Sequence, residues 1–271
     1  MRKQKTLITV LLCMAALCAG CGDSRTDGLL SQIDTLTEAR PDSALRMLDS
    51  LGGEKAGWSR RLRRKYDLLH LKAENKAFVP LTSDSVARDL VDYYDTWGNA
   101  NERMTAHYHL GCVYRDKGDS PQAIDAFLDA VAQADTTSRD CDYISLSATY
   151  SQMANIYHKQ LLLTNEINAR RKAIHYALVA NQKYKAIYEF KKSANAYILM
   201  NKMDSAEIVL SKVIESYFSE NEIQAALQAS TSLLYLYVQK PNKTSESKQL
   251  CVFPLDSLKN CLYPSRFRKS V

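Results

Sequence analysis

Apolar and small residues recur along this chain at three- and four-residue intervals, and short polar turns separate the runs. This is the spacing of amphipathic helices. Ala44, Leu48 and Leu51 form one such stripe, Val86, Leu90 and Tyr93 a second, Ala123, Phe127 and Ala130 a third, and Ala206, Leu210 and Val213 a fourth. The pattern predicts a helix over about 101–116, another around Trp58–Lys76, and two more over 204–218 and 221–239, the last with Ile223, Leu227, Leu234 and Tyr237 turned to the core. Gly118 permits the turn after the first of these. Ser120 is placed as the N-cap of the next helix, with Pro121 in its first turn.

The stripes echo one another. An Asp-Ser pair stands at Asp42-Ser43, Asp84-Ser85, Asp119-Ser120 and Asp204-Ser205, each just ahead of a helix, where both residues suit caps and turns. With Ala44, Val86, Ala123 and Ala206 as equivalent points the steps are 42, 37 and 83 residues, the last being two repeats. A period of this size predicts a solenoid of stacked helix pairs, an all-α fold. Composition agrees: 46% of the residues are hydrophobic, and nine Gly and six Pro among 271 residues are too few for an all-β chain.

The unit over 104–137 resembles the tetratricopeptide repeat (TPR). Leu110, Gly111, Tyr114, Gly118, Ala123, Phe127 and Ala130 fall on positions 7, 8, 11, 15, 20, 24 and 27 of that pattern, where small residues let two antiparallel helices approach and large ones fill the flanks. A later unit has Phe190, Ala194 and Tyr197 on its first helix and Ala206, Leu210 and Val213 on its second. The unit between them keeps Met153, Ala154, Tyr157 and Ala173 but has Glu166 and Arg170 where Ala and an aromatic residue are expected, and so reads as degenerate. The resemblance implies an α-solenoid with a TPR-like right-handed superhelix over about residues 28–239, within a domain spanning 21–240.

In the resembling family the first helix of each pair lines a groove through its positions 2, 5, 9 and 12. Carried over by register, these are Thr105, Tyr108, Cys112 and Arg115, then Ala148, Ser151, Asn155 and His158, then Tyr188, Lys191, Asn195 and Ile198. The expected partner groove accordingly comprises Tyr108, Arg115, Asn155, His158, Tyr188, Lys191 and Asn195. Amides at matching positions, Asn155 and Asn195, suit an extended peptide backbone. The first of these repeats has Tyr108 and Cys112 where the carboxylate clamp of co-chaperone repeats has a basic residue and Asn, so a generic protein or peptide groove is expected instead.

The N-terminus carries a different signal. Arg2, Lys3 and Lys5 precede a twelve-residue apolar run, Thr6–Leu17, and Ala19-Gly20 then precede Cys21. Twelve residues are too few to span a hydrocarbon core, which needs about 20. Ala-Gly-Cys after such a run resembles the lipobox of bacterial lipoproteins, although Cys18 stands where Leu is usual. The resemblance implies a signal peptide over 1–20, lipid on Cys21 and a place in the bacterial envelope, anchored to a membrane and facing the periplasm. Removing the signal leaves 33 basic and 30 acidic residues, too even a balance to imply nucleic acid.

Of the remaining cysteines, Cys112 and Cys141 read as packing residues, and Cys251 and Cys261 could pair in an irregular tail over 241–271. His107 and His109 lie about 200° apart on a helix and cannot share a metal ion. The basic run Arg60–Lys65 reads as a solvated face. No phosphate loop, zinc-protease or serine-hydrolase motif occurs, so neither enzyme activity nor a cofactor is expected. Two functions fit: a non-catalytic scaffold that binds a protein or peptide, and an extracytoplasmic sensor part of a signalling lipoprotein truncated before its output segment.

Overall fold

A computed structural model describes residues 23–239. The signal segment 1–20, Cys21 and the tail 241–271 lie outside the described residues. Among those described, the secondary structure is helical throughout, with eleven α-helices and one short 3₁₀ turn. The chain divides between Cys141 and Asp142 into two compact units.

The first unit holds α1 (23–39), α2 (Pro41–Leu51), the 3₁₀ turn Gly52–Gly57, α3 (Arg60–Lys76), α4 (Ser85–Trp97), α5 (Ala100–Asp116) and α6 (Ser120–Gln133). Helix α1 packs Leu30 and Ile33 into a cluster with Ala44, Leu48, Leu62, Tyr66, Leu69 and Ala73, so the pattern at 44–51 does have a preceding partner helix. Along α4 the buried residues are Ala87, Leu90 and Tyr94, while Val86 is exposed. The expected stripe through Val86 and Tyr93 is thus out by one residue at both ends, because the four-residue spacing of Leu90–Tyr94 continues the helix face better than three.

The predicted α5–α6 pair forms as expected, with α5 within one residue of its forecast start. Asn99 and Glu102 cap α5 reciprocally. Gly118 takes φ +78°, a conformation that costs glycine little. The N-cap of α6 is Asp119 and not Ser120: the Asp119 carboxylate accepts from the Gln122 N–H at 3.1 Å, and Ser120 and Pro121 open the helix. Of the other Asp-Ser pairs, Asp84 gives its carboxylate to Arg88 instead of the backbone, and Asp42 and Asp204 lie inside the first turns of their helices. A Cβ on Gly111 would come within 2.5 Å of the Phe127 ring, so the small residue is required where α5 and α6 meet. Cys112 and Cys141 are buried.

The basic run at the start of α3 is only in part a solvated face: Arg60 and Arg61 are exposed, whereas Arg63, Arg64 and Lys65 are half-buried. Lys65 and Arg61 pair with Asp27, Lys72 pairs with Asp34 and Glu38, and Lys76 with Glu38, which lays α3 along α1 as a ladder of opposite charges. Arg64 reaches Asp67 and Asp89.

The second unit is more regular. Helices α7 (Tyr143–Lys159), α8 (Leu163–Val179), α9 (Lys183–Leu199), α10 (Met203–Ser219) and α11 (Ile223–Gln239) each have 17 residues and begin every 20 residues. Each of the four turns has its central residue in the left-handed region: Leu161 at φ 58°, Asn181 at 57°, Asn201 at 56° and Asn221 at 61°. The next residue donates back five positions, as Gln182 N–H does to the Ala177 carbonyl at 2.7 Å, closing a Schellman cap. Asparagine tolerates this conformation; leucine does so only at a cost.

Ala194, Ala206, Leu210, Val213, Tyr217, Ala226, Ala229, Leu233 and Leu236 build the core of α9–α11. On α11 the buried side runs through Ala226, Ala229, Leu233, Leu236 and Tyr237, whereas Leu234 points outward at 45% exposure and Ile223 and Leu227 are half-buried. The expected stripe followed the largest residues. The buried one follows the alanines, which allow α10 to come close.

Candidate partner-binding face

The two polar residues that replace Ala and an aromatic residue on α8 are the most deeply buried charges described. Glu166 is fully buried and Arg170 nearly so. The Arg170 guanidinium donates to Glu166 Oε1 through Nε at 2.7 Å and to Glu189 Oε2 on α9 through Nη1 at 2.7 Å. Glu166 Oε2 lies 2.8 Å from His158 Nδ1 on α7. Asn155 on α7 receives Arg170 Nη2 at 3.5 Å and Lys192 Nζ at 3.3 Å. One interior ion cluster therefore ties α7, α8 and α9 together. Fork-shaped, always-charged arginine is suited to hold two carboxylates at once.

Above this cluster α9 turns a mixed stripe outward. At 100° per residue, Tyr184, Tyr188, Lys191 and Asn195 fall within an arc of about 60°. Tyr184, Tyr188 and Asn195 are exposed and Lys191 is half-buried. Lys192 Nζ sits 4.7 Å from the Tyr188 ring centre, and Lys185 Nζ reaches the Ile144 carbonyl of α7 at 3.4 Å. The Lys185 bond, with that of Lys192 to Asn155, links α9 to α7.

The structure brings five of the expected groove residues, Asn155, His158, Tyr188, Lys191 and Asn195, onto α7 and α9. Asn155 and His158 are half-buried members of the ion cluster, while Tyr188, Lys191 and Asn195 share the outward stripe. The other two, in the first unit, serve their own neighbours. Arg115 donates to Asn75 Oδ1 of α3 at 2.9 Å and to Asp116 at 2.8 Å, and Tyr108 packs against Phe127 at 5.8 Å between ring centres. Cys112, at a groove position by register, is fully buried, and burial pushes its thiol up to about 12. His109 is likewise buried; desolvation, reinforced by Lys72, Arg115 and Lys76, pulls it down to about 3.

Sequence reasoning missed Glu166, Arg170 and Glu189 as a unit. The signal was the loss of Ala and an aromatic residue at two matched positions, which was read as decay.

No protein-family model and no curated sequence matches the chain. Solved structures do. The apo form of RapI matches over 88% of this chain and 67% of its own, with a TM-score of 0.69 and 11% identity. A STAND-class signal transduction ATPase of Pyrococcus horikoshii, described as having a tetratricopeptide repeat sensor, matches over 86% of this chain and 37% of its own, with a TM-score of 0.63 and 16% identity. A protein of Podosopora anserina described as a kinesin light chain with nearly identical TPR-like repeats matches over 74% of this chain and 97% of its own, with a TM-score of 0.56 and 13% identity. The fold is the TPR-like helical repeat. Folds of this kind typically serve as protein-interaction scaffolds.

Proposed function

We propose that this chain is a non-catalytic TPR-type scaffold, tethered through lipid on Cys21 to a membrane of the bacterial envelope, that holds a protein or peptide partner against α7 and α9. The observation that carries the reading is the outward stripe of α9, where Tyr184, Tyr188, Lys191 and Asn195 stand together over a helix whose other side is committed to the core. Aromatic and amide groups on a rigid helix lose little entropy when they bind, which suits recognition of an extended chain.

The test is capture from an envelope extract with the full chain and with Lys191→Ala/Asn195→Ala. The variant should melt at the same temperature and lose the partner that the parent retains. Equal capture by both, or loss of folding in the variant, contradicts the assignment. The anchor is tested separately: Cys21→Ser should leave the precursor uncut or release the chain to the soluble fraction, and a membrane-extracted protein without added diacylglycerol mass would refute lipidation.

A further inference from the structure

Helices α7, α9 and α11 together contain a single carboxylate, Glu189, and it is buried against Arg170. The same helices carry five lysines, Lys159, Lys183, Lys185, Lys191 and Lys192, and no arginine. Of these lysines, Lys183 is matched by Glu220 in the turn before α11, at 3.1 Å, and Lys192 by the buried Glu189, at 4.0 Å. Among the described residues, the other acids of the second unit lie on α10, in the turns, or inside the ion cluster. This differs sharply from α3 of the first unit, where the lysines and arginines are met by carboxylates on α1.

One step of the 40-residue repeat carries the α9 stripe onto Gln224, Gln228, Thr231 and Tyr235 of α11, all exposed, with Tyr235 at 63%. One step back carries it onto Ile144, Ala148, Ser151 and Asn155 of α7. The outward side of α9 and α11 is thus tyrosine, amide, hydroxyl and half-buried lysine, while on α7 Ile144 is exposed, Ala148 and Asn155 are half-buried and Ser151 is buried; none of the three helices exposes a carboxylate.

Building on the scaffold reading above, we infer that this face receives an acidic peptide segment, an extended stretch of a partner rich in Asp and Glu. An acidic chain meets no like charge there. Its carboxylates reach ammonium groups, and its backbone amides reach Asn155, Asn195, Gln224 and Gln228. Lysine without arginine favours scattered carboxylates over phosphate, for which arginine's fork is the better match.

The test is selection of random twelve-residue peptides on the full chain, followed by sequencing of the bound pool and titration of one labelled binder. The inference predicts enrichment of Asp and Glu over the starting library. It also predicts binding that weakens with salt and falls about tenfold in Lys191→Glu, but not in Lys212→Glu, which makes the same charge change on α10. Both variants should melt with the parent. Selected peptides without acidic enrichment overturn the acidic chemistry and leave the scaffold reading standing. Recovery of no binder overturns both. Selective binding of single-stranded oligonucleotide or of phosphatidylglycerol vesicles in place of acidic peptide overturns the inference in favour of a phosphate ligand.

Discussion

The α5–α6 and α7–α8 pairs occupy matching places in the repeat and solve the same packing problem with opposite chemistry. In the first, Ala123 and Phe127 of α6 close against Gly111 in an apolar contact. In the second, Glu166 and Arg170 stand at those two positions, equally buried, and the seam is an ion cluster that also recruits Glu189 of α9. One repeat further on, Ala206 and Leu210 restore the apolar form. Helix geometry is indifferent to the exchange, since α7 and α8 have the same 17 residues and three-residue turn as α9 and α10. What changes is reach. An apolar seam joins two helices, whereas the guanidinium of Arg170 joins three.

Removing Arg170 should break this comparison most severely. Arg170→Ala removes the guanidinium that both buried carboxylates share, leaving Glu166 with His158 and Glu189 with Lys192 at 4.0 Å, and should cost about 3–5 kcal/mol, read by urea unfolding. Restoring the apolar form in full with Glu166→Ala/Arg170→Leu/Glu189→Ala should instead come out close to neutral. A loss as large as that of the single variant would mean that the cluster is more than a substitute for packing.

The α5–α6 side has its own titration. The folded state holds His109 near pKa 3, burial being the main cause, while the unfolded chain protonates it at about 6.5. Between those values the unfolded state binds the extra proton, so stability rises with pH and is lost on acidification, by up to about 1.4 kcal/mol per pH unit. His109→Leu should flatten that part of the profile, measured as urea midpoints between pH 7 and pH 4 on chains matched in their other groups.

Gly111→Leu forces a side chain into the Phe127 ring and should destabilise the α5–α6 seam by about 1–3 kcal/mol, seen as a lowered melting temperature. Ala154, at the matching place on α7, already carries a Cβ. The smallest effect is expected at Leu161, where a bulky residue sits at φ 58° and 66% exposure in a turn whose three counterparts are Asn. Leu161→Asn or Leu161→Gly should stabilise by roughly 0.5–1 kcal/mol, and a loss of stability would show that the leucine has a contact worth more than its backbone strain.

The helical repeat was legible because small residues at Gly111, Ala154 and Ala194 and aromatics at Tyr114, Tyr157 and Tyr197 recur wherever two helices must close. Register failed where periodicity was read from side-chain size: Val86 for Ala87, and Leu234 for Ala226 and Ala229. In both cases close helix contact selects alanine, and a large neighbour is left outside. Helix α1 went unread because its apolar residues alternate with charges that proved to be partners for α3. Of the outward stripe of α9, register alone pointed to Tyr188, Lys191 and Asn195 but not to Tyr184. The ion cluster beneath it was not, since Glu166 and Glu189 are 23 residues apart and only the stacking of α8 on α9 brings them to one guanidinium.

The central claim is that the partner docks on the acid-free face of α7, α9 and α11. Hydrogen exchange on the full chain, with and without a saturating acidic peptide, tests it most directly. The account predicts added protection concentrated at residues 151–159 and 184–199, with α6 and α10 unchanged. Protection that falls instead on α3 and α4, or on the outer side of α10, would contradict it.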